Sequence, residues 1–311
     1  MQAAASTRAV KAAALKLRVD ISIEQGFEQI LRNCLQQIRA NEDGLREGFD
    51  PEFVHQVRVG IRRLRSALLL FQDWIECPPS LTQEIVWIAQ ALAAARDAEV
   101  LASSTLPALM QACPQEHRLL ALQQAASAHA QQLRVEAAAT LASERYTALM
   151  QALEQWLDQQ AWRSGQDGRL QQALVPAAAR LLEKRRRQVR KRGQQAQQQQ
   201  QLLPADASET ATFEALHRLR IAIKKLRYAK EFFLSLKTRR QAKAQALSRL
   251  IQAQDLLGQL NDGHMAEQQL HNLAQDSHKL RRAADFARGY LRAQSLQLQA
   301  QIQALEQTRK N

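Results

Sequence analysis

His55-Gln56-Val57-Arg58-Val59-Gly60-Ile61-Arg62-Arg63-Leu64-Arg65 decides how this chain is read, because the chain writes it twice. The second copy is His217-Arg218-Leu219-Arg220-Ile221-Ala222-Ile223-Lys224-Lys225-Leu226-Arg227. His55, Arg58, Arg62, Arg63 and Arg65 recur as His217, Arg220, Lys224, Lys225 and Arg227. At the same offset the apolar residues Val57, Ile61, Leu64 and Phe71 recur as Leu219, Ile223, Leu226 and Phe233. Charge pattern and apolar frame repeat together, which chance does not preserve. The chain therefore consists of two related halves.

On a helix turning about 100° per residue, Val57, Ile61, Leu64, Leu68 and Phe71 share one stripe, the signature of a core-facing surface. His55, Arg58, Arg62 and Arg65 form a second stripe, and Arg58, Arg62 and Arg65 climb it at intervals of about one 5.4 Å turn. A solvated basic face would intersperse glutamates to gain i,i+4 pairs. No acidic residue lies between Glu52 and Asp73. The pattern therefore favours a bound anion over a solvated face.

The 311 residues, 46% hydrophobic, are enough for one large or two medium domains with a proper core. A net charge of +13 favours a polyanionic partner, whether nucleic acid, anionic lipid or polyphosphate. Only 5% of residues are aromatic, and the basic helices lack the interleaved rings on which single-stranded nucleic acids stack. Cys34, Cys77 and Cys113 are odd in number and show no CxxC spacing, so neither a disulfide framework nor a zinc site is indicated and a reducing compartment fits. No apolar run has the length of a membrane span, and the Ala-rich start lacks the core of a secretory signal. The expected location is cytoplasmic.

Ala, Leu, Gln, Glu, Lys and Arg dominate nearly every segment, and no convincing strand appears; a brief alternation at 15–21 belongs to the lead-in. Ser22 with Gln25 predicts a capping box opening a helix through about Asn41. Asp50 is the expected cap of the signature helix, with Pro51 in its first turn and Thr212 as the corresponding start in the second copy. Arg96-Asp97 and Asn261-Asp262 read as matching breaks, each Asp capping the helix that follows. Long helices are expected at about 115–160, with a break, and about 279–307. The expected organisation is a basic N-terminal tail (1–21), a first half (22–168) and a second half (169–311) with a Gln-rich linker or frayed insert at about 194–211. Four principal helices per half predict an all-α fold of two pseudo-symmetric four-helix bundles. The helix opening the second half ends in the tract Lys184 to Arg192. With Val189 aligned to Ile38, Arg185 and Arg186 stand where the first half has Cys34 and Leu35, which points this end into a basic groove between the halves.

The doubled segments, each followed by an Asp junction, resemble the CHAD family, the conserved-histidine α-helical domain, over roughly residues 22–307. The resemblance implies two four-helix bundles whose facing basic helices line a positively charged groove or pore that binds inorganic polyphosphate. It places the candidate binding residues at His55, Arg58, Arg62, Arg63 and Arg65 and at His217, Arg220, Lys224, Lys225 and Arg227. Arg39 on the first helix and Lys184, Arg187, Arg190 and Lys191 on the basic tract complete the set. Family members are often fused to a triphosphate tunnel enzyme domain; no Glu-x-Glu-x-Lys segment of that enzyme occurs here, so the chain reads as a stand-alone module. Its first Asp junction has Glu99 where a second Asp is expected, and the Gln-rich insert is a further departure.

Polyphosphate exposes only acceptor oxygens, which suits the planar fork of Arg and the point charge of Lys. His55 and His217 head the two ladders, and two roles stand open for them: an added donor to the anion, or a structural histidine. His264, His271 and His278 recur every seventh residue, about 10.5 Å apart on one helix and too far to share a metal. Asp97 and Glu99 are better explained by capping than by cation binding. No nucleophile–base arrangement, phosphate-cradling Gly loop or paired carboxylate is visible. The sequence thus predicts a non-catalytic polyphosphate-binding module without cofactor, metal or membrane association, with polyphosphate granules as one setting. Sequence-independent RNA or DNA binding is the main alternative, and an enzyme or enzyme accessory acting on phosphate polymers is the third.

Overall fold

The computed structural model describes residues 8–47, 50–163, 168–202, 209–236, 244–275 and 277–307. They are all-α, as the composition predicts. The helices are α1 (Ile23–Glu47), α2 (Pro51–Phe71), α3 (Pro79–Val100), α4 (Leu106–Ala112), α5 (Leu119–Ala142), α6 (Glu144–Asp158), α7 (Leu174–Leu202), α8 (Glu209–Phe232), α9 (Ala244–Ala274) and α10 (His278–Gln307). They belong to two compact units. One comprises Met1–Arg96, Ala130–Leu181 and Tyr228–Leu236, and the other Asp97–His129, Leu182–Arg227 and Lys237–Asn311.

In the first unit the predicted start signals operate. Ser22 Oγ accepts from the Gln25 amide at 3.2 Å while Gln25 Oε1 accepts from the Ser22 amide at 3.1 Å. Asp50 accepts from the Glu52 amide, with Pro51 at the first turn of α2. Antiparallel packing of α1 on α2 follows from contacts that run in opposite directions along the two helices. Gly44 lies against Phe53, Ile38 against Gly60 and Phe27 against Phe71. A Cβ on Gly60 would come within 2.6 Å of Ile38 Cγ1, so glycine sets how closely the two helices approach. Phe27, Phe71, Trp156, Trp162 and Phe233 pack ring to ring at centroid distances of 5.3 to 6.2 Å. This cluster holds several of the chain's few aromatic side chains in the core.

The described part of the basic N-terminal tail is tied down. From Arg8 it runs extended across the first unit and is clipped at three points. Asn41 holds Val10 by both its amide and its carbonyl, Asn33 Nδ2 donates to the Ala13 carbonyl at 3.0 Å, and Ser235 Oγ accepts from the Leu17 amide at 2.9 Å. Leu17 and Ile21 are buried there. An isolated antiparallel bridge joins Ser22 to Ala173, so the lead-ins to α1 and α7 meet.

Neither Asp junction is a helix break. Asp97 lies inside α3, and Asn261 and Asp262 lie inside α9. The interruption in the first half comes later, as a π-turn at Leu101–Thr105. Pro107 explains it. Its missing N–H and its ring are incompatible with a regular turn, and the Leu106 amide bonds back to the Leu101 carbonyl. The Ala102 carbonyl, whose π-turn donor would be Pro107, accepts instead from Gln123 Nε2 at 2.6 Å. The break expected within 115–160 falls at Ser143, which caps α6 by accepting from the Tyr146 amide. Thr212 is no start signal, since α8 begins at Glu209. The Gln-rich tract continues α7 as far as Leu202, because Arg185, Val189, Gly193 and Ala196 form a buried stripe along it. The rest of that insert, up to residue 208, lies outside the described residues, as does Asp276.

Candidate functional site

The first copy of the signature motif lies on α2 in the first unit. His55, Arg58 and Arg62 are half-buried along its polar stripe and Arg65 is exposed. Arg62 Nε donates to Tyr228 Oη at 3.1 Å, which fixes the guanidinium against that ring. The His55 imidazole is held below its ordinary range, first by burial and then by the positive charges of Arg96, Arg62 and Arg58, against the opposing pull of Glu52. The surroundings of His55 therefore favour its neutral form before any anion arrives.

Arg63 is a different kind of residue. It is 2% exposed. Its guanidinium donates to Gln37 Oε1 at 2.9 Å and Asn33 Oδ1 at 2.8 Å, pairs with Glu231 at 3.0 Å and lies over the Phe232 ring. It belongs to a polar network that also holds the N-terminal segment through Asn33 and Asn41 and reaches α2 again through Gln56. A ligand in solvent cannot reach it, so Arg63 leaves the set of binding residues. Arg39 is likewise engaged, bonded to Glu154 through two nitrogens at 2.9 and 3.0 Å and to Glu42 at 3.0 Å. Cys34 beside this network is a buried thiol whose pKa burial pushes up to about 12, which keeps it protonated.

In the second unit the repeat is placed on α8 with another distribution. His217 Nδ1 lies 3.0 Å from Asn261 Oδ1 and Arg220 pairs with Asp262 at 3.6 Å. The expected capping residues thus engage the signature helix. The adjoining face of α8, carrying Arg218, Ile221, Ala222 and Lys225, forms one wall of a recess of about 330 Å3 whose other wall is Arg185, Gln188, Lys191 and Arg192 of α7. Five lining residues are cationic and none is acidic. Arg185 is 8% exposed and donates to Gln188 Oε1 at 3.0 Å, so its charge is set into the recess wall.

Lys191 and Lys225 are the sequence-predicted residues that this recess gathers. Arg185 and Arg186 were expected to point into a groove between the halves; instead Arg185 lines this recess within the second unit and Arg186 pairs with Glu183. Arg218 escaped because its repeat counterpart is Gln56, a buried amide; a search for duplicated charge discards it. Arg192 was visible only as one member of a basic run. Lys184, Arg187 and Arg190 are exposed, and Arg187 and Arg190 share Glu183 with Arg186 on the outer side of α7. Lys224 and Arg227 are half-buried on α8 outside the recess lining. Of the histidine series, His264 stacks on Phe213 with centroids 3.9 Å apart. Among the described residues no group of three or more His, Cys, Asp or Glu is placed to hold a metal ion. No helix of the described residues is long and apolar enough to cross a membrane.

An all-α protein with a histidine-led basic helix in duplicate is the class that this fold and site define. The CHAD domain model matches residues 29–271, and the chain belongs to the CHAD family. The crystal structure of the CHAD domain from the plant Ricinus communis is 36% identical, covers 96% of each chain and superposes with a TM-score of 0.81. PptA from Streptomyces chartreusis shares 16% identity at a TM-score of 0.65, over 92% of this chain and 99% of that one, a likeness of fold. Comparison with curated proteins gives no match.

Proposed function

We propose that this protein binds inorganic polyphosphate by charge and shape, without cleaving or extending it, as a cytoplasmic module suited to association with polyphosphate granules. The observation that carries this reading is the recess between α7 and α8, where Arg185, Lys191, Arg192, Arg218 and Lys225 converge with no carboxylate in the lining. Such a concentration of cationic groups in one lining attracts a polyanion. Its lining of guanidinium, ammonium and amide groups donates hydrogen bonds to phosphoryl oxygens but supplies no general base at neutral pH. The exposed and half-buried arginines of α2 add a second cationic surface in the first unit. Membership of the CHAD family supports the choice of polyphosphate, and burial of the ring cluster around Phe27 removes those rings as a stacking surface for single-stranded nucleic acid.

The test is a titration of fluorescent polyphosphate, single-stranded RNA and duplex DNA at several ionic strengths, beside a turnover assay on labelled polyphosphate with and without divalent cation. Affinity should fall with salt by about 0.7 in log–log slope per phosphate contacted, by analogy with single strands. Polyphosphate should stay ahead at physiological salt, since its phosphates can lie along the cationic lining with no sugars or bases between them. RNA or DNA binding as tightly there would replace this reading with general polyanion binding, and chain shortening would show an enzyme.

The position of His55 predicts a pH dependence. Phosphate oxygens near Arg58 and Arg62 offset the charges that hold its imidazole neutral, so bound anion raises its pKa and binding takes up a proton. Affinity should therefore rise as pH falls from above the ordinary imidazole value of about 6.5 toward the depressed value of the free protein. For folding the sign is opposite. The free protein disfavours protonated His55 and the unfolded chain does not, so this residue's contribution is present above the unfolded value and lost as pH falls through the folded one. Histidine NMR titration with and without polyphosphate should show the rise, and His55→Gln should flatten the pH dependence of affinity.

A further inference from the structure

The cationic recess has a neighbour. A second cavity of about 300 Å3 lies on the same unit, lined by Phe213, Glu214, His217, Arg218, Asn261, His264, Met265 and Gln268. Arg218 lines both. The two differ in chemistry. Beyond Arg218, the second cavity carries a phenyl ring, two imidazoles, a thioether, two amides and one carboxylate. His264 presents a stacked aromatic surface with Phe213, and Phe213 in turn lies 6.1 Å from the His217 ring.

The hydrogen bonds within this cavity define what it offers. Asn261 Oδ1 accepts from His217 Nδ1, which holds the imidazole in place at the cavity wall. Gln268 Nε2 lies 3.2 Å from His264 Nε2. Neutral donors and acceptors beside aromatic faces recognise a planar heterocycle. Glu214 pairs with Arg218 at 3.3 Å, one turn before it on α8. A carboxylate at that point disfavours phosphate but accepts readily from a vicinal pair of ribose hydroxyls. From there Arg218, Lys225, Lys191 and Arg192 continue as donors to phosphate.

We infer that these adjoining recesses form one bipartite site for a nucleoside carrying three or more 5′-phosphates, with its base beside Phe213 and His264, its ribose at Glu214 and its phosphates over Arg218 in the cationic recess. The inference rests on the polyphosphate reading and adds to it a ring-bearing ligand class. A chain of bare phosphates uses only the α7–α8 recess. A nucleotide uses both, and Arg218 turns from Glu214 to the α-phosphate as it binds.

The experiment compares ATP with inorganic tripolyphosphate by calorimetry on the full chain, at one ionic strength and without divalent metal. ATP should bind at least about tenfold more tightly, the scale of one base stacked on an aromatic side chain. Phe213→Leu should remove that preference while leaving tripolyphosphate affinity within about twofold. Saturation-transfer NMR supplies an independent readout, in which adenine protons receive magnetisation from the wild-type protein and lose it in the variant. Equal affinities of ATP and tripolyphosphate in the wild type, with long-chain polyphosphate still bound, would overturn the bipartite site and leave the parent reading standing. Equal losses of both ligands in Phe213→Leu would also overturn it. If no phosphate compound binds, both readings fall together.

Discussion

Replacing Lys191 and Lys225 together by glutamate is expected to lower polyphosphate affinity by at least about a hundredfold. Both line the cationic recess, one from α7 and one from α8. Hydrogen bonds to charged groups contribute about 1.5–3 kcal/mol each, so two lost contacts already reach that scale before the new carboxylates repel the ligand. The control is Arg169→Glu with Arg282→Glu, which changes net charge equally at two exposed positions outside the recess, one in each unit. It should cost no more than a few-fold near physiological salt, where interactions beyond a Debye length of about 8 Å are screened. Equal losses from the two double variants, measured by fluorescence titration, would mean that net charge alone governs binding.

Arg63 is expected to behave in the opposite way to its repeat counterpart Lys225. Arg63→Met should destabilise the protein by about 3 kcal/mol, the low end for breaking a buried ion pair. Gln37 and Asn33 would lose their donor, while Glu231, 41% exposed, regains water and limits the cost. Arg63→Lys should be intermediate, because an ammonium cannot span all three partners as the guanidinium fork does. Lys225→Met should cost less stability than Arg63→Met and reduce polyphosphate affinity instead. Urea denaturation followed by circular dichroism reads the first effect, and calorimetry the second. A stable Arg63→Met protein with lost binding would show that Arg63 contacts ligand and that the network around it is incidental.

The contrast explains how far the residues alone could be read. Helical periodicity, the Ser22–Gln25 box and the Asp50-Pro51 start are local signals, governed by backbone geometry within a few residues, and the structure carries them as expected. The duplicated motif correctly led to the CHAD family because apolar frame and charge repeat in step. Reading function position by position from the repeat was less secure. Arg63 and Lys225 occupy equivalent places, yet one lies among Gln37, Asn33 and Glu231 and the other lines an open recess. Arg218 and Gln56 are also equivalent, and only one bears charge. The Asp junctions failed as helix breaks for a related reason. An Asp before an apolar run satisfies a cap pattern, but Asp262 is instead used sideways, against Arg220 of α8.

What the sequence by itself determined is therefore the all-α class, the positions of most helices and the family. All of these follow from periodicity, composition and the repeated motif, which are properties of the chain taken along its length. Which arginine is buried scaffold and which lines a recess was decided only by tertiary structure. A guanidinium's role depends on whether carbonyls and carboxylates from distant segments reach it before solvent does. For Arg63 those groups come from α1 and from the end of α8, far apart in the chain, and no pattern on α2 itself records their arrival.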